Sequence, residues 1–127
     1  MKSELLHSLL ILPVPDLNAT SSYYEEKLSF KAVKYLDVNQ PHICLYRDLV
    51  EIVLTKSKLS EIQPNRVIHG DGYDGYFTGR NIENIYNECL ASDVKMVKHL
   101  QMTDYGNSEF VFEDIDNRWI CIGVKKI

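Results

Sequence analysis

Residues 109–124, EFVFEDIDNRWICIGV, decide the fold, because they contain two strands and the turn that joins them. EFVFE and RWICIG each contain a short apolar run with aromatic and β-branched residues, which is typical of a β-strand. The acidic segment 114–117 separates the two runs and predicts a tight turn. The sequence therefore predicts an antiparallel hairpin, with Trp119 and Cys121 on one face of its second strand.

The same order of elements occurs twice along the chain, and this hairpin ends the second occurrence. The first half predicts β-α-β-β-β, with strands at 8–14, 31–37, 42–47 and 50–55 and a helix that Asp16 or Asn18 can cap. The second half predicts the same order, with strands at 75–79, 94–100, 108–114 and 118–124 and a helix at 81–92 capped by Asn81.

These patterns predict an α+β fold of two βαβββ modules. We expect the modules to form a curled mixed sheet around a cleft, with the helices on the outer face. Residues 1–127 are expected to form a single domain, with module one at about 5–55, a polar connector at 56–72 and module two at about 73–127.

Composition excludes several classes of function. A net charge of −4 and a pI near 5.5 argue against a nucleic-acid partner, and the pair Lys125-Lys126 is too short to change this. The apolar run at 5–15 lacks the basic region and cleavage site of a signal peptide, and it is too short to span a bilayer. The three cysteines have no metal-ligand spacing and predict free thiols in a reducing, cytoplasmic compartment.

Two further motifs resemble one protein family. The opening ILPVPDLNATSSYYEEKLSF matches a family pattern at Val14, Asp16, Tyr24, Leu28 and Phe30. The closing YGNSEFVFEDIDNRWICI matches a second pattern at Tyr105, Gly106, Phe110, Phe112, Asp114, Asp116 and Ile120. With the helix and strand at 81–97, they make the chain similar to the glyoxalase/bleomycin-resistance/extradiol-dioxygenase superfamily, also called vicinal oxygen chelate proteins.

The resemblance also indicates where a metal would be bound. Enzymes of this superfamily hold a divalent metal with His, Gln or Glu side chains from the first and last strands of each half. The corresponding positions here are Leu9, Val53, Asp74 and Cys121. Two of the four cannot coordinate a metal, so the sequence predicts no metal, no other cofactor and no catalytic residues.

Strand alternation predicts which side chains line the cleft instead. We expect aromatic walls and acidic groups there, contributed by Trp119, Tyr76, Tyr46, Glu51 and Asp74, with Cys121 among them. Such a surface suits a flat or cationic organic ligand, held by stacking and by attraction to the rings.

The resemblance therefore implies a metal-free binding protein of the bleomycin-resistance type, which sequesters a small molecule in a cleft between two copies of the chain. The alternative is a metal-dependent lyase, isomerase or dioxygenase of the glyoxalase type. It requires His7, His42 or Glu51 to converge on Cys121. A second alternative is a non-catalytic structural or regulatory module whose cleft is filled by its own side chains.

Overall fold

The computed structural model describes residues 1–124, so the last three residues of the predicted second module lie outside the described part. The element order is β1 (Leu10–Val14), α1 (Leu17–Leu28), β2 (Lys31–Tyr35), β3 (His42–Arg47), β4 (Val50–Lys56), α2 (Asn65–His69), β5 (Gly75–Thr78), α3 (Ile82–Ala91), β6 (Lys95–Met102), β7 (Ser108–Glu113) and β8 (Trp119–Val124). The predicted α+β fold of two βαβββ modules is confirmed.

Each module builds one four-stranded mixed sheet. The strand orders are β1-β4-β3-β2 and β5-β8-β7-β6, and in both sheets the first and last strands of the module run parallel while the other pairs are antiparallel. Burial alternates along β1, where Leu12 and Val14 are buried and Ile11 is exposed. This alternation gives each sheet one face on the core and an opposite face that neither α1 nor α3 covers, which we call the helix-free face.

The helix α1 begins where the sequence predicts. Asp16 is in an extended conformation, and its carboxylate accepts a hydrogen bond from the Ala19 N–H at 3.0 Å. Ser29 ends the helix in the left-handed conformation, with φ of 56°. Tyr24 and Leu28 are buried and direct α1 onto the core side of the sheet.

The helix α3 begins differently from the prediction. Asn81 precedes it as expected, but this residue is left-handed, with φ of 52°, and its side chain makes no capping hydrogen bond within the described chain. A capping residue normally has extended backbone, which aims its side chain at the first free N–H groups. The prediction that Asn81 caps α3 through its side chain is therefore wrong.

The connector contains a short helix that the sequence did not predict. Residues 56–72 read as a polar connector, but Lys56 ends β4 and Asn65–His69 form α2. Similarly, β1 begins at Leu10 and not at residue 8. None of the five residues of α2 is buried, so hydrophobic patterning could not reveal it.

Polar contacts fix the two modules against each other. The Tyr24 hydroxyl donates to the Asp114 carboxylate at 2.7 Å, and Thr20 donates to Asp116 at 2.6 Å. On the other side of α1, the Arg47 guanidinium pairs with the Glu88 carboxylate at 2.8 Å. These contacts, with the shared apolar core, hold α1 beside the second module, and side chains of both modules, with Glu51 and Tyr76 among them, line one pocket.

Candidate functional site

The helix-free face of module two carries most of the polar side chains that could bind a ligand. Pairing across β7 and β8 places Glu109 opposite Gly123, Val111 opposite Cys121 and Glu113 opposite Trp119. The neighbouring β5 places Tyr76 opposite Cys121. Phe110, Phe112, Ile120 and Ile122 alternate with these residues and point into the core.

Glu109 is the centre of this face. It is only 5% exposed, and its carboxylate accepts hydrogen bonds from the Tyr76 hydroxyl at 2.8 Å and from the Tyr105 hydroxyl. The Cys121 thiol is a third hydrogen-bonding neighbour. Gly123 makes the arrangement possible, because a Cβ there would overlap the Tyr76 hydroxyl and lie 2.9 Å from the Glu109 Cβ.

The groups around Glu109 are held in their neutral forms. Burial, followed by the charge of Glu109, raises the pKa of Cys121 to about 12. Burial and the hydrogen bond to Glu109 raise the pKa of Tyr76 to about 12. Cys121 is fully buried, and in the metal-free protein its thiol is neutral at physiological pH.

A pocket of about 360 Å³ opens beside this carboxylate. Its walls include Tyr73, Tyr105, Lys98, Val111 and Glu109. The Lys98 ammonium donates to the Tyr73 hydroxyl at 3.2 Å and lies 5.6 Å from the centre of its ring. The pocket therefore joins aromatic surfaces, a buried carboxylate and a lysine that is already engaged with a tyrosine.

Trp119 is on the predicted face, but the chain covers its ring. The Arg66 guanidinium carbon lies 4.2 Å from the ring centre, in a cation–π arrangement. Arg66 also donates to the Asn117 carbonyl at 2.6 Å and to the Glu113 carboxylate at 3.5 Å. The ring face that was predicted to stack on a ligand is therefore covered by Arg66. A cleft filled by its own side chains, the second alternative, would have this arrangement.

Asp74 is engaged in holding the backbone together. Its two carboxylate oxygens accept from the Asn65 N–H at 3.0 Å and the Trp119 N–H at 3.1 Å. These bonds join the start of α2 to the start of β8. The Asp74 carboxylate, which was predicted to bind a ligand, therefore holds the start of α2 in place. The buried carboxylate of the face is that of Glu109.

Module one supplies a more open and more apolar face. Tyr46 pairs with Glu51 across β3 and β4, as a simple hairpin register requires, and Tyr46 is 38% exposed. Glu51 lies 3.8 Å from His7. His42 bonds to the Gln40 carbonyl and stacks on a tyrosine of β2, so it points away from the second module.

The donor set does not fit the divalent metal of the superfamily. Leu9 and Val53 have hydrocarbon side chains, and Cys121 is a buried neutral thiol. The alternative ligands do not converge, because His7 and Glu51 meet each other and Cys121 bonds to Glu109. Within residues 1–124, no three His, Cys, Asp or Glu side chains lie close enough to hold a metal ion.

Four residues of this face were missed by the sequence reasoning. Glu109 could have been found, because EFVFE places it on the face opposite Phe110. Tyr73, Tyr105 and Arg66 lie in segments outside the strands, where alternation gives no direction. Only the folded chain reveals what these three side chains contact.

Comparison with solved structures identifies the fold. The chain superimposes on a glyoxalase/bleomycin resistance protein/dioxygenase from Alicyclobacillus acidocaldarius with a TM-score of 0.74 and 17% identity, over 100% of this chain and 96% of the other. UcmS2 gives a TM-score of 0.73 and 21% identity over 98% and 100%. The fosfomycin resistance protein FosX from Listeria monocytogenes gives 0.63 and 17% over 100% and 94%.

No profile of a known protein family and no curated protein matches the sequence. The chain has the fold of the glyoxalase/bleomycin resistance protein/dioxygenase superfamily, as the sequence resemblance implied. At these identities the likeness establishes the fold, and the function must come from the site. Within the described residues, no helix is both long and apolar enough to cross a membrane.

Proposed function

We propose that this chain is a metal-free binding protein that sequesters a flat, cationic small molecule on its helix-free face. The observation that carries the proposal is the environment of Glu109. This carboxylate is 5% exposed and receives hydrogen bonds from neutral tyrosines. Within residues 1–124, no Lys, Arg or His forms an ion pair with it.

A buried carboxylate that lacks a paired cation is unfavourable in the free protein. Lys98 also lines this pocket, but its ammonium donates to the Tyr73 hydroxyl and does not form an ion pair with Glu109. A cationic ligand that approaches Glu109 more closely than Lys98 does would supply an ion-pair partner, and Tyr73 and Tyr105 would supply aromatic surfaces for its rings. The volume of about 360 Å³ lies in the range of sites for small organic molecules, which is about 300–1,000 Å³. Binding alone performs this function, so it requires no catalytic residues. Solved structures with this fold include one named glyoxalase/bleomycin resistance protein/dioxygenase and one named fosfomycin resistance protein, so the fold is compatible with this role.

We further propose that two copies of the chain complete the cleft. The helix-free face of module one exposes apolar side chains, with Ile11 59% exposed, Leu9 41% exposed and Tyr46 38% exposed. Neighbouring exposed apolar side chains of this kind mark interaction surfaces. A homodimer would cover this face and close the cleft beside Glu109.

A charge series on one planar frame tests the ligand class. The probes are 9-aminoacridine, a cation at neutral pH, with neutral acridine and anionic acridine-9-carboxylate as its matched partners. We expect the Kd of 9-aminoacridine, measured by calorimetry, to be at least tenfold lower than that of neutral acridine. This difference corresponds to about 1.4 kcal/mol of binding free energy. The Glu109→Gln variant should lose most of this preference, because the amide keeps an acceptor for the tyrosines and removes the charge.

The matched control is Glu26→Gln, which removes an exposed carboxylate on α1 and should leave all three affinities unchanged. Equal affinities for the three probes, no binding of any of them, or an unchanged preference in Glu109→Gln would contradict the proposal.

A further inference from the structure

The Trp119 ring, the Glu113 carboxylate and the Asn117 carbonyl surround the Arg66 guanidinium and form a cage that fits a planar cation. One face of the ring carries the Arg66 guanidinium at 4.2 Å. The edges of that guanidinium meet two acceptors, the Asn117 carbonyl at 2.6 Å and the Glu113 carboxylate at 3.5 Å. A ring face with two in-plane acceptors matches the planar donor fork of a guanidinium better than it matches a compact ammonium.

The Glu113 carboxylate of the cage is ionised at neutral pH and also pairs with Lys95. Burial alone would raise the pKa of Glu113, but hydrogen bonds from Trp119 and Lys95 outweigh it and lower the pKa below its usual value. The Trp119 indole N–H donates to Glu113 at 3.0 Å, and the Lys95 ammonium pairs with the other carboxylate oxygen at 3.1 Å. These contacts hold the ring and the carboxylate in place without help from Arg66.

The helix α2, which carries Arg66, makes few contacts with the second module. None of the α2 residues is buried, and Val67 and Ile68 are 59% and 58% exposed. Among the described residues, 1–124, the hydrogen bonds that join α2 to the second module, apart from those of Arg66, are two bonds of Asn65, from its N–H to the Asp74 carboxylate and from its side chain to the Tyr73 carbonyl. Because Val67 and Ile68 are already exposed, moving α2 away from the sheet would expose little further apolar surface of the helix itself.

We propose that Trp119, Glu113 and the Asn117 carbonyl form a binding site for the guanidinium or amidinium group of a small molecule, and that Arg66 fills this site until such a ligand displaces it. The site shares a face with the pocket beside Glu109, but it uses a different carboxylate and a different ring. It can therefore exist whether or not Glu109 binds a cation.

The test uses phenylguanidinium as the probe and Trp119 as the reporter. Trp119 is the single tryptophan of the chain, so its indole N–H gives one resonance in a ¹⁵N–¹H spectrum. In the wild-type protein the probe must compete with Arg66. We expect Arg66→Ala to bind it at least about tenfold more tightly than the wild type, since a tethered competitor has a high effective concentration. Adding Glu113→Gln to this variant should then weaken binding at least fivefold, because a charge-assisted hydrogen bond is lost.

Three controls make the result specific. Arg80→Ala removes an exposed arginine outside the cage and should retain the wild-type affinity. Butylammonium has the same charge without a planar group, and it should bind Arg66→Ala at least fivefold more weakly than phenylguanidinium does. Glu109→Gln should leave the phenylguanidinium titration of the Trp119 indole resonance unchanged, even if it weakens binding of the same probe beside Glu109, and this local reading separates the proposal from the proposed function.

The proposal is overturned if Arg66→Ala binds the probe no more tightly than the wild type, or if Glu113→Gln has no effect. Circular dichroism establishes that each variant is folded, and Arg66→Gln, which keeps the apolar stem, is the second variant. If neither Arg66 variant folds, Arg66 is a structural residue and the proposal is equally overturned.

Discussion

Gly123 lies where the Tyr76 hydroxyl crosses β8 to reach Glu109, so replacing it with alanine tests the central arrangement of the face. The new Cβ would overlap the Tyr76 hydroxyl and lie 3.0 Å from the Tyr76 Cζ. Tyr76 is 38% exposed and can rotate outwards, but it then loses its 2.8 Å hydrogen bond to Glu109. A hydrogen bond to a charged group contributes about 1.5–3 kcal/mol. We expect Gly123→Ala to lower the free energy of unfolding by about 2 kcal/mol.

A double-mutant cycle separates this effect from an ordinary backbone effect. In a Tyr76→Ala background the ring and its hydrogen bond are absent and only the 2.9 Å approach of the new Cβ to the Glu109 Cβ remains, so Gly123→Ala should cost at least about 1 kcal/mol less than in the wild type. Urea unfolding of the four proteins measures both values, and similar m-values make the comparison valid. The reasoning is refuted if Gly123→Ala has the same cost in both backgrounds.

Three further predictions concern pH, assembly and metal. Burial, opposed by hydrogen bonds from Tyr24 and two backbone N–H groups, raises the pKa of Asp114 to about 6, so the folded chain holds this proton more tightly than the unfolded chain does. Its contribution to stability is present below about pH 4 and is lost as the pH rises through about 6. The unfolding free energy of the wild type minus that of Asp114→Asn should therefore fall by about 2–3 kcal/mol from pH 4 to pH 7, and a flat difference would contradict this. Ile11→Glu should convert the proposed dimer to a monomer in sedimentation velocity, whereas Leu59→Glu, at a similarly exposed position in the connector, should not. A wild type that is already monomeric would refute the proposed dimer. Protein incubated with Ni²⁺, Zn²⁺, Mn²⁺ and Fe²⁺ and then desalted should retain less than about 0.1 metal per chain by elemental analysis, and about one metal per chain would contradict the metal-free site.

Local patterns in the sequence were enough to place most of the elements. The hairpin of β7 and β8 follows from two short apolar runs, in EFVFE and WICIG, on either side of an acidic turn, because such strands pair through residues that are close in the chain. The same reasoning correctly placed Trp119, Cys121 and Tyr76 on one face. It failed for the cap of α3, because the left-handed backbone of Asn81 depends on how the preceding loop meets the sheet and not on residue type alone.

The partners of the site residues could not be read from the sequence. Arg66 lies 47 residues from Glu113 and 51 from Asn117, in a segment whose polar composition indicated only a connector. Asp74 was expected to face a ligand, yet it binds two backbone N–H groups. A side chain in an irregular segment has no periodicity to fix its direction, so its contacts emerge only when distant elements pack.

The sequence by itself determined the two βαβββ modules, the face on which the polar and aromatic side chains lie, and the loss of metal-binding side chains at Leu9 and Val53. Each of these depends on residue type and on the two-residue period of a strand. Only the tertiary structure decided that Glu109 is buried among tyrosines and that Arg66 covers Trp119. Burial and long-range contact are properties of packing, which brings together residues that the sequence keeps apart.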